Sequence, residues 1–151
     1  LSAEIEALFA SEHMSNLEEL TFSSYASNSF DAALAEKLAE GTFAKGLKTL
    51  RLVGMGVEPD ALEVLLTHEN FKKLKTLDLY QTLKATHLDA LEGLPEKIGL
   101  KTLITHSFSW GWSDDEQQRV ADWAATRKVK HKQISSWDSF LKRESARRPR
   151  C

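Results

Sequence analysis

Residues 47–52 read LKTLRL, and this stretch decides the fold because it returns at 74–79 as LKTLDL. Related copies stand at 17–22 (LEELTF) and 100–105 (LKTLIT). The first leucines of successive copies lie 30, 27 and 26 residues apart. Recurrence at such a period is typical of repeat proteins, in which each unit covers the apolar face of its neighbour. We therefore expect four short strands that stack in chain order.

The residues between these copies carry a second pattern, which indicates helices. Pairs of apolar residues three apart recur 12 and nine residues before three of the copies: Ile5 and Leu8, Leu62 and Leu65, and Leu88 and Leu91. Apolar residues at this spacing in a polar stretch mark the buried face of a short helix. Helix-start signals agree with this division: Asn28, Ser29 or Asp31 for the second helix, and then Pro59, Thr86 and Ser113. Ser113 opens a capping box with Glu116, so the longest predicted helix runs from there to about Arg127.

Residues 5–106 resemble the leucine-rich-repeat family, whose strands carry the motif L-x-x-L-x-L, and the long helical units resemble its ribonuclease-inhibitor-like branch. The resemblance implies an α/β right-handed solenoid. It has a short parallel sheet on the concave side, helices on the convex side and a helical C-terminal cap. The ninth position, where the family places Asn or Cys, holds other residues here: Tyr25, Met55, Thr82 and Phe108. We therefore expect the turns after the strands to satisfy their backbone amides in another way.

This interpretation divides the chain into three parts. Residues 1–108 hold about four leucine-rich repeats, the first of them partial or an N-terminal cap. Residues 109–137 form a C-terminal cap with one helix and one edge strand. We expect Trp110 and Trp112 to cover the last leucines together with Trp123 and Phe108. Residues 138–151 form a basic tail that we expect to be flexible. Because the chain starts at Leu1 rather than Met, we expect it to be part of a larger protein.

Composition restricts the class of protein further. The 151 residues are 42% hydrophobic and 28% charged, which is typical of one globular domain. A net charge of −2 argues against a nucleic-acid partner. The single cysteine, Cys151, excludes a disulfide within the chain, and no apolar run reaches the length of a membrane span. We expect a cytoplasmic protein without a membrane partner.

Strand alternation predicts where a partner binds. The leucines point into the core, so the third, fifth and seventh positions of each copy point out from the concave face. The predicted partner-binding residues are Glu19, Thr21, Arg51, Val53, Thr76, Asp78, Tyr80, Ile104 and His106. Tyr and Arg are frequent anchors of protein interfaces. We therefore predict a non-catalytic protein-recognition module; the alternative is a structural spacer or a regulatory segment of a multidomain enzyme or effector.

Catalytic and cofactor motifs are missing from the sequence. No two of the five histidines have the H-x-x-x-H spacing of a helical metal site, and no G-x-S-x-G nucleophile motif occurs. We therefore expect no enzyme activity, no cofactor and no metal. An enzyme would instead require a pocket with convergent ionisable groups, and His106 and His131 are the candidates if the last two strands are neighbours.

Overall fold

The computed structural model describes residues 3–23, 29–79, 81, 83–106 and 113–134, and within them the chain is an α/β protein with parallel strands. The helices are α1 (Ala3–Phe9), α2 (Ala32–Ala39), α3 (Pro59–Thr67), α4 (Ala85–Glu92) and α5 (Asp114–Arg127). The strands are β1 (Glu19–Ser23), β2 (Ser29–Phe30), β3 (Thr49–Val53), β4 (Gly56–Val57), β5 (Thr76–Leu79), β6 (Thr102–His106) and β7 (Lys130–Ile134). Short 3-10 helices precede β1, β3 and β5.

Five strands form one sheet in the order β1-β3-β5-β6-β7, and every pairing in it is parallel. The register aligns the repeated leucines, because Leu20 pairs with Leu50, Leu50 with Leu77, and Leu77 with Leu103. The predicted side-by-side stacking of the four leucine copies is therefore confirmed. β7 lies at the far edge, where the edge strand after the long helix was expected.

The hydrophobic core lies between this sheet and the helices. Leucines from both layers join it: Leu50, Leu52 and Leu77 from the strands, and Leu38, Leu62, Leu65 and Leu88 from the helices, each at most 1% exposed. Consecutive helices from α2 to α5 pack against one another, so the helical layer follows the order of the strands.

The first unit departs from the predicted pattern. Leu8 was expected in the buried face of α1, but it is 48% exposed, and Phe9 is buried instead. Leu20 and Phe22 of β1 are only half-buried. Among the described strands, β1 has a neighbour on one side alone, so its leucines lack the cover that inner layers receive on both sides.

Most helix starts follow the predicted caps. The Asp31 carboxylate accepts a hydrogen bond from the Leu34 amide at 2.9 Å, and Pro59 occupies the first turn of α3. At α5 the Glu116 carboxylate accepts from the Ser113 amide at 2.9 Å, which confirms the capping box. The cap assigned to Thr86 is wrong, because α4 begins one residue earlier, at Ala85.

At the turn into α4, two side chains bind the backbone groups that Asn or Cys at the ninth repeat position would otherwise bind. β2 and β4 form a second, two-stranded parallel sheet. The side-chain amide of Gln81 extends it: its Oε1 accepts from the Val57 amide at 2.8 Å, and its Nε2 donates to the Val57 carbonyl at 3.1 Å. His87 accepts from the Lys84 amide through Nδ1 at 3.0 Å, which satisfies the N-cap amide of α4. Thr82 lies outside the described residues, as do Tyr25 and Phe108.

α5 covers the C-terminal end of the described core. Trp123 is buried, and its indole N–H donates to the Leu91 carbonyl at 2.8 Å. Arg119 forms two hydrogen bonds with the Glu92 carboxylate, both 2.9 Å, and a third with Asp89 at 2.6 Å. These contacts fix α5 on α4, as expected of a cap. None of the described helices is both long and apolar enough to cross a membrane.

Candidate protein-binding face

The predicted binding residues lie on the side of the five-stranded sheet opposite the helices, which we call the outer face. Pairing places Thr21, Arg51, Asp78 and Ile104 in one row across four strands. Glu19 and Thr76 belong to the row before it, and Val53 and His106 belong to the row after it. Tyr80 lies outside the described residues.

A line of charged side chains runs diagonally across the outer face. The Arg51 guanidinium lies 3.8 Å from the Glu19 carboxylate and 3.9 Å from the Asp78 carboxylate. Asp78 also faces His106, whose Nε2 is 3.3 Å from its Oδ1. Long ion pairs at a surface add little to stability, so their main effect here is to fix the direction of Arg51.

The outer face divides into an exposed part and a buried part. On β1 and β3, Glu19, Thr21 and Ser23 are exposed, and Thr49, Arg51 and Val53 are half-buried; these six residues are called the exposed patch. Thr76 on β5 is also half-buried.

The expectation that Asp78, Ile104 and His106 are exposed with Arg51 is wrong, since they are 8%, 4% and 5% exposed. Arg51 and His106 flank the Asp78 carboxylate. Ile104 and His106 lie on an inner strand, with neighbours on both sides. Strand alternation predicts the direction of a side chain but not whether other groups lie over it.

The pairing of His106 with His131 is also wrong. β6 and β7 are neighbours, but His131 pairs with Leu103 and His106 pairs with Ile134. His131 lies 2.9 Å from the Thr105 hydroxyl, whereas His106 faces Asp78 on the outer face. Side chains three positions apart point to opposite sides of a strand, so the two imidazoles do not converge. Burial lowers the pKa of His131 below its ordinary value.

The described residues form no cluster of His, Cys, Asp and Glu suited to a metal ion. The described residues line at least two open depressions away from the outer face. One, of about 200 Å³, lies between α1 and α2 beside Phe9, Lys37 and Glu40. The other, of about 300 Å³, is lined by Lys45, Glu69, Asn70, Lys72 and Lys73. Neither brings together the Asp78–His106 pair with a nucleophile.

The sequence pattern did not predict the group of lysines that lines the second depression. The net charge of −2 averages over the chain and so hides a local excess. The signal was present directly before β3, β5 and β6, where lysine stands at positions 48, 75 and 101. Comparison of the chain with protein-family models, with curated proteins and with solved structures finds no match.

Proposed function

We propose that the chain is a leucine-rich-repeat solenoid that binds a protein partner without catalysis. Three observations support the solenoid: strand–helix units follow one another in chain order, their strands are parallel, and equivalent leucines share one register. Each inner unit depends on its neighbours for apolar cover, which is the physical basis of repeat proteins.

The observation that carries the binding function is the position of Arg51. Its side chain is 21% exposed and is directed by Glu19 and Asp78, so little side-chain freedom remains to be lost on binding. Arginine held in this way, on a sheet face with hydroxyl and apolar neighbours, is a frequent anchor of protein interfaces. The exposed patch is the part of the outer face that a partner reaches.

The Asp78–His106 pair has the composition of an acid–base pair, but its surroundings favour a positioning role. General acid–base catalysis requires contact with a substrate, and His106 is only 5% exposed. The pair supports Arg51 from one side, as Glu19 does from the other. We therefore assign to Asp78 and His106 the support of the binding face rather than chemistry.

A substitution that blocks the exposed patch without removing its ion pairs tests this proposal. Thr21→Arg adds a long cationic side chain to an exposed strand position, and Ala33→Arg adds the same side chain to an exposed position of α2. Each protein is immobilised, and captured proteins are identified and then measured as purified ligands. A partner that binds the wild type and Ala33→Arg but loses affinity at least about tenfold with Thr21→Arg supports the proposal.

The same experiment separates recognition from the spacer alternative. A spacer predicts that no protein is retained more by the wild type than by folded Thr21→Arg. Circular dichroism and thermal unfolding of each variant show whether the fold is intact. Equal retention by intact proteins would remove the exposed patch as a binding site.

A further inference from the structure

The connections that lead into the strands carry an excess of lysine. Segments 44–48, 72–75, 95–101 and 128–130, which enter β3, β5, β6 and β7, contain nine lysines and one glutamate. All nine lysines are exposed. The whole chain has a net charge of −2, so the remaining residues are acidic on balance. We call the lysines of these four segments the lysine edge.

Sheet topology brings these segments together in a row. Parallel strands enter a sheet at the same edge, and the backbone pairing begins at the lysines themselves. The Lys75 amide donates to the Lys48 carbonyl, the Lys101 amide to the Lys75 carbonyl, and the Lys130 amide to the Lys101 carbonyl, each at 2.8 Å. Neighbouring strands are about 4.8 Å apart, so the row extends about 14 Å.

Structural roles do not explain this row. Among the described residues, Lys48 is the member of the edge that forms an ion pair, with Glu18 at 2.6 Å, and Lys75 donates to the Gly99 carbonyl at 3.1 Å. Lysines at the C-terminal end of a helix offset the helix dipole, and this accounts for Lys128 after α5 and Lys45 in the 3-10 helix before β3. It does not account for the others, because α3 and α4 have no basic residue in their last turn. Like charges on adjacent strands repel, so the row costs stability. An anionic ligand bound along the row would offset this repulsion.

We propose that the lysine edge binds an acidic, extended segment of a partner polypeptide. An extended chain rises about 3.4 Å per residue, so four or five residues span about 14 Å. Beside this row lies a depression of about 300 Å³, which three lysines (Lys45, Lys72 and Lys73) line together with Glu69 and Asn70. Its lining is cationic on balance and offers room for an acidic side chain. The lysine edge is separate from the exposed patch, so this inference does not depend on the proposed function.

Composition of the edge favours carboxylates over nucleic acid. Its four segments contain no arginine, the residue that binds phosphate with two parallel hydrogen bonds. They also contain no aromatic residue on which a base could stack. A row of about 14 Å matches about four base pairs, which is short for a duplex site. Lysine point charges on flexible chains suit the separate carboxylates of a peptide.

Fluorescence anisotropy with a labelled octaglutamate peptide tests the inference, with octaglutamine as the neutral control. Lys72, Lys73 and Lys101 are replaced together by Gln, because no described ion pair depends on them. A matched variant replaces three other exposed lysines, Lys37, Lys84 and Lys132, by Gln. We expect the first variant to lose at least about tenfold in affinity at about 50 mM salt and the second less than about threefold.

Three results would overturn the inference. The first is an absence of octaglutamate binding at low salt. The second is an equal loss in both variants, since that would report net charge rather than a site. The third is tighter binding of a mixed-sequence DNA duplex or of phosphatidylserine vesicles than of octaglutamate at the same salt, since either would assign the edge to phosphates.

Discussion

His87 donates a hydrogen bond from Nε2 to the main-chain carbonyl of Val57, 2.7 Å away and 30 residues earlier in the chain. The ring can do so because its Nδ1 accepts from the Lys84 amide, which places the proton on Nε2. Gln81 donates to the same carbonyl. One unit therefore satisfies the turn of the unit before it with two side chains.

The first prediction concerns this turn. His87→Ala leaves the Lys84 amide without its acceptor and removes one donor to Val57, so we expect a loss of about 1–3 kcal/mol in the free energy of unfolding. His13→Ala, at an exposed position, is the control and should change stability by less than about 0.5 kcal/mol. Urea unfolding followed by circular dichroism measures both. A loss for His87→Ala as small as for His13→Ala would show that the bond contributes nothing.

The second prediction concerns the coupling of the two side chains at Val57. Gln81→Ala and His87→Ala are combined in a double-mutant cycle. Groups that share one acceptor are rarely additive, and we expect an interaction energy of at least about 0.5 kcal/mol. Additive losses within about 0.3 kcal/mol would show that the two contacts act independently.

The third prediction compares two leucines of the same register row. Leu77 is fully buried between neighbouring strands on both sides, so Leu77→Ala should cost about 2–5 kcal/mol. Leu20 occupies the equivalent position at the sheet edge and is half-buried, so Leu20→Ala should cost clearly less. Denaturant midpoints of the two variants give the comparison. Equal costs would mean that β1 is covered in solution by something that the single chain does not supply.

The repeated leucines predicted this register well, because burial of one face leaves a strand little freedom to shift. The same reasoning misplaced Leu8, since no other unit among the described residues packs over that side of α1. It also took Asp78 for an exposed residue. Asp78 lies beside Arg51 and His106, which come from other strands, and a pattern within one strand does not record such contacts.

The cap of α4 was misassigned for a related reason. Thr86 matches the local preference for a helix N-cap, but the helix begins before it, and His87 satisfies the Lys84 amide. His87 is held in place by Val57, which is distant in sequence. The lack of Asn or Cys at the ninth position indicated that another group must bind the backbone amides of the turn. It did not indicate that Gln81 is this group.

The fourth prediction concerns the C-terminal end. Trp123→Phe preserves most of the buried ring but removes the indole N–H that the Leu91 carbonyl accepts at 2.8 Å. We expect a loss of about 0.5–1.5 kcal/mol, because one hydrogen bond is lost while the Leu91 carbonyl keeps the Leu94 amide as a donor at 3.2 Å. Arg119→Ala removes ion pairs that lie at the surface, so it should cost less than Trp123→Phe, and its cost should shrink at high salt. If Trp123→Phe has the same free energy of unfolding as the wild type, apolar packing alone accounts for the contribution of Trp123 to stability.

The fifth prediction follows from the lowered pKa of His131, whose cause is desolvation by burial. The unfolded chain then binds a proton on this residue more readily than the folded chain does. Stability must therefore fall as the pH drops below the ordinary histidine value of about 6.5 towards the lower folded pKa. His131→Gln cannot be protonated, so its melting temperature should fall less than that of the wild type between pH 7.5 and 5.5. Because the other titrating groups are common to both proteins, a parallel fall would contradict the role of His131.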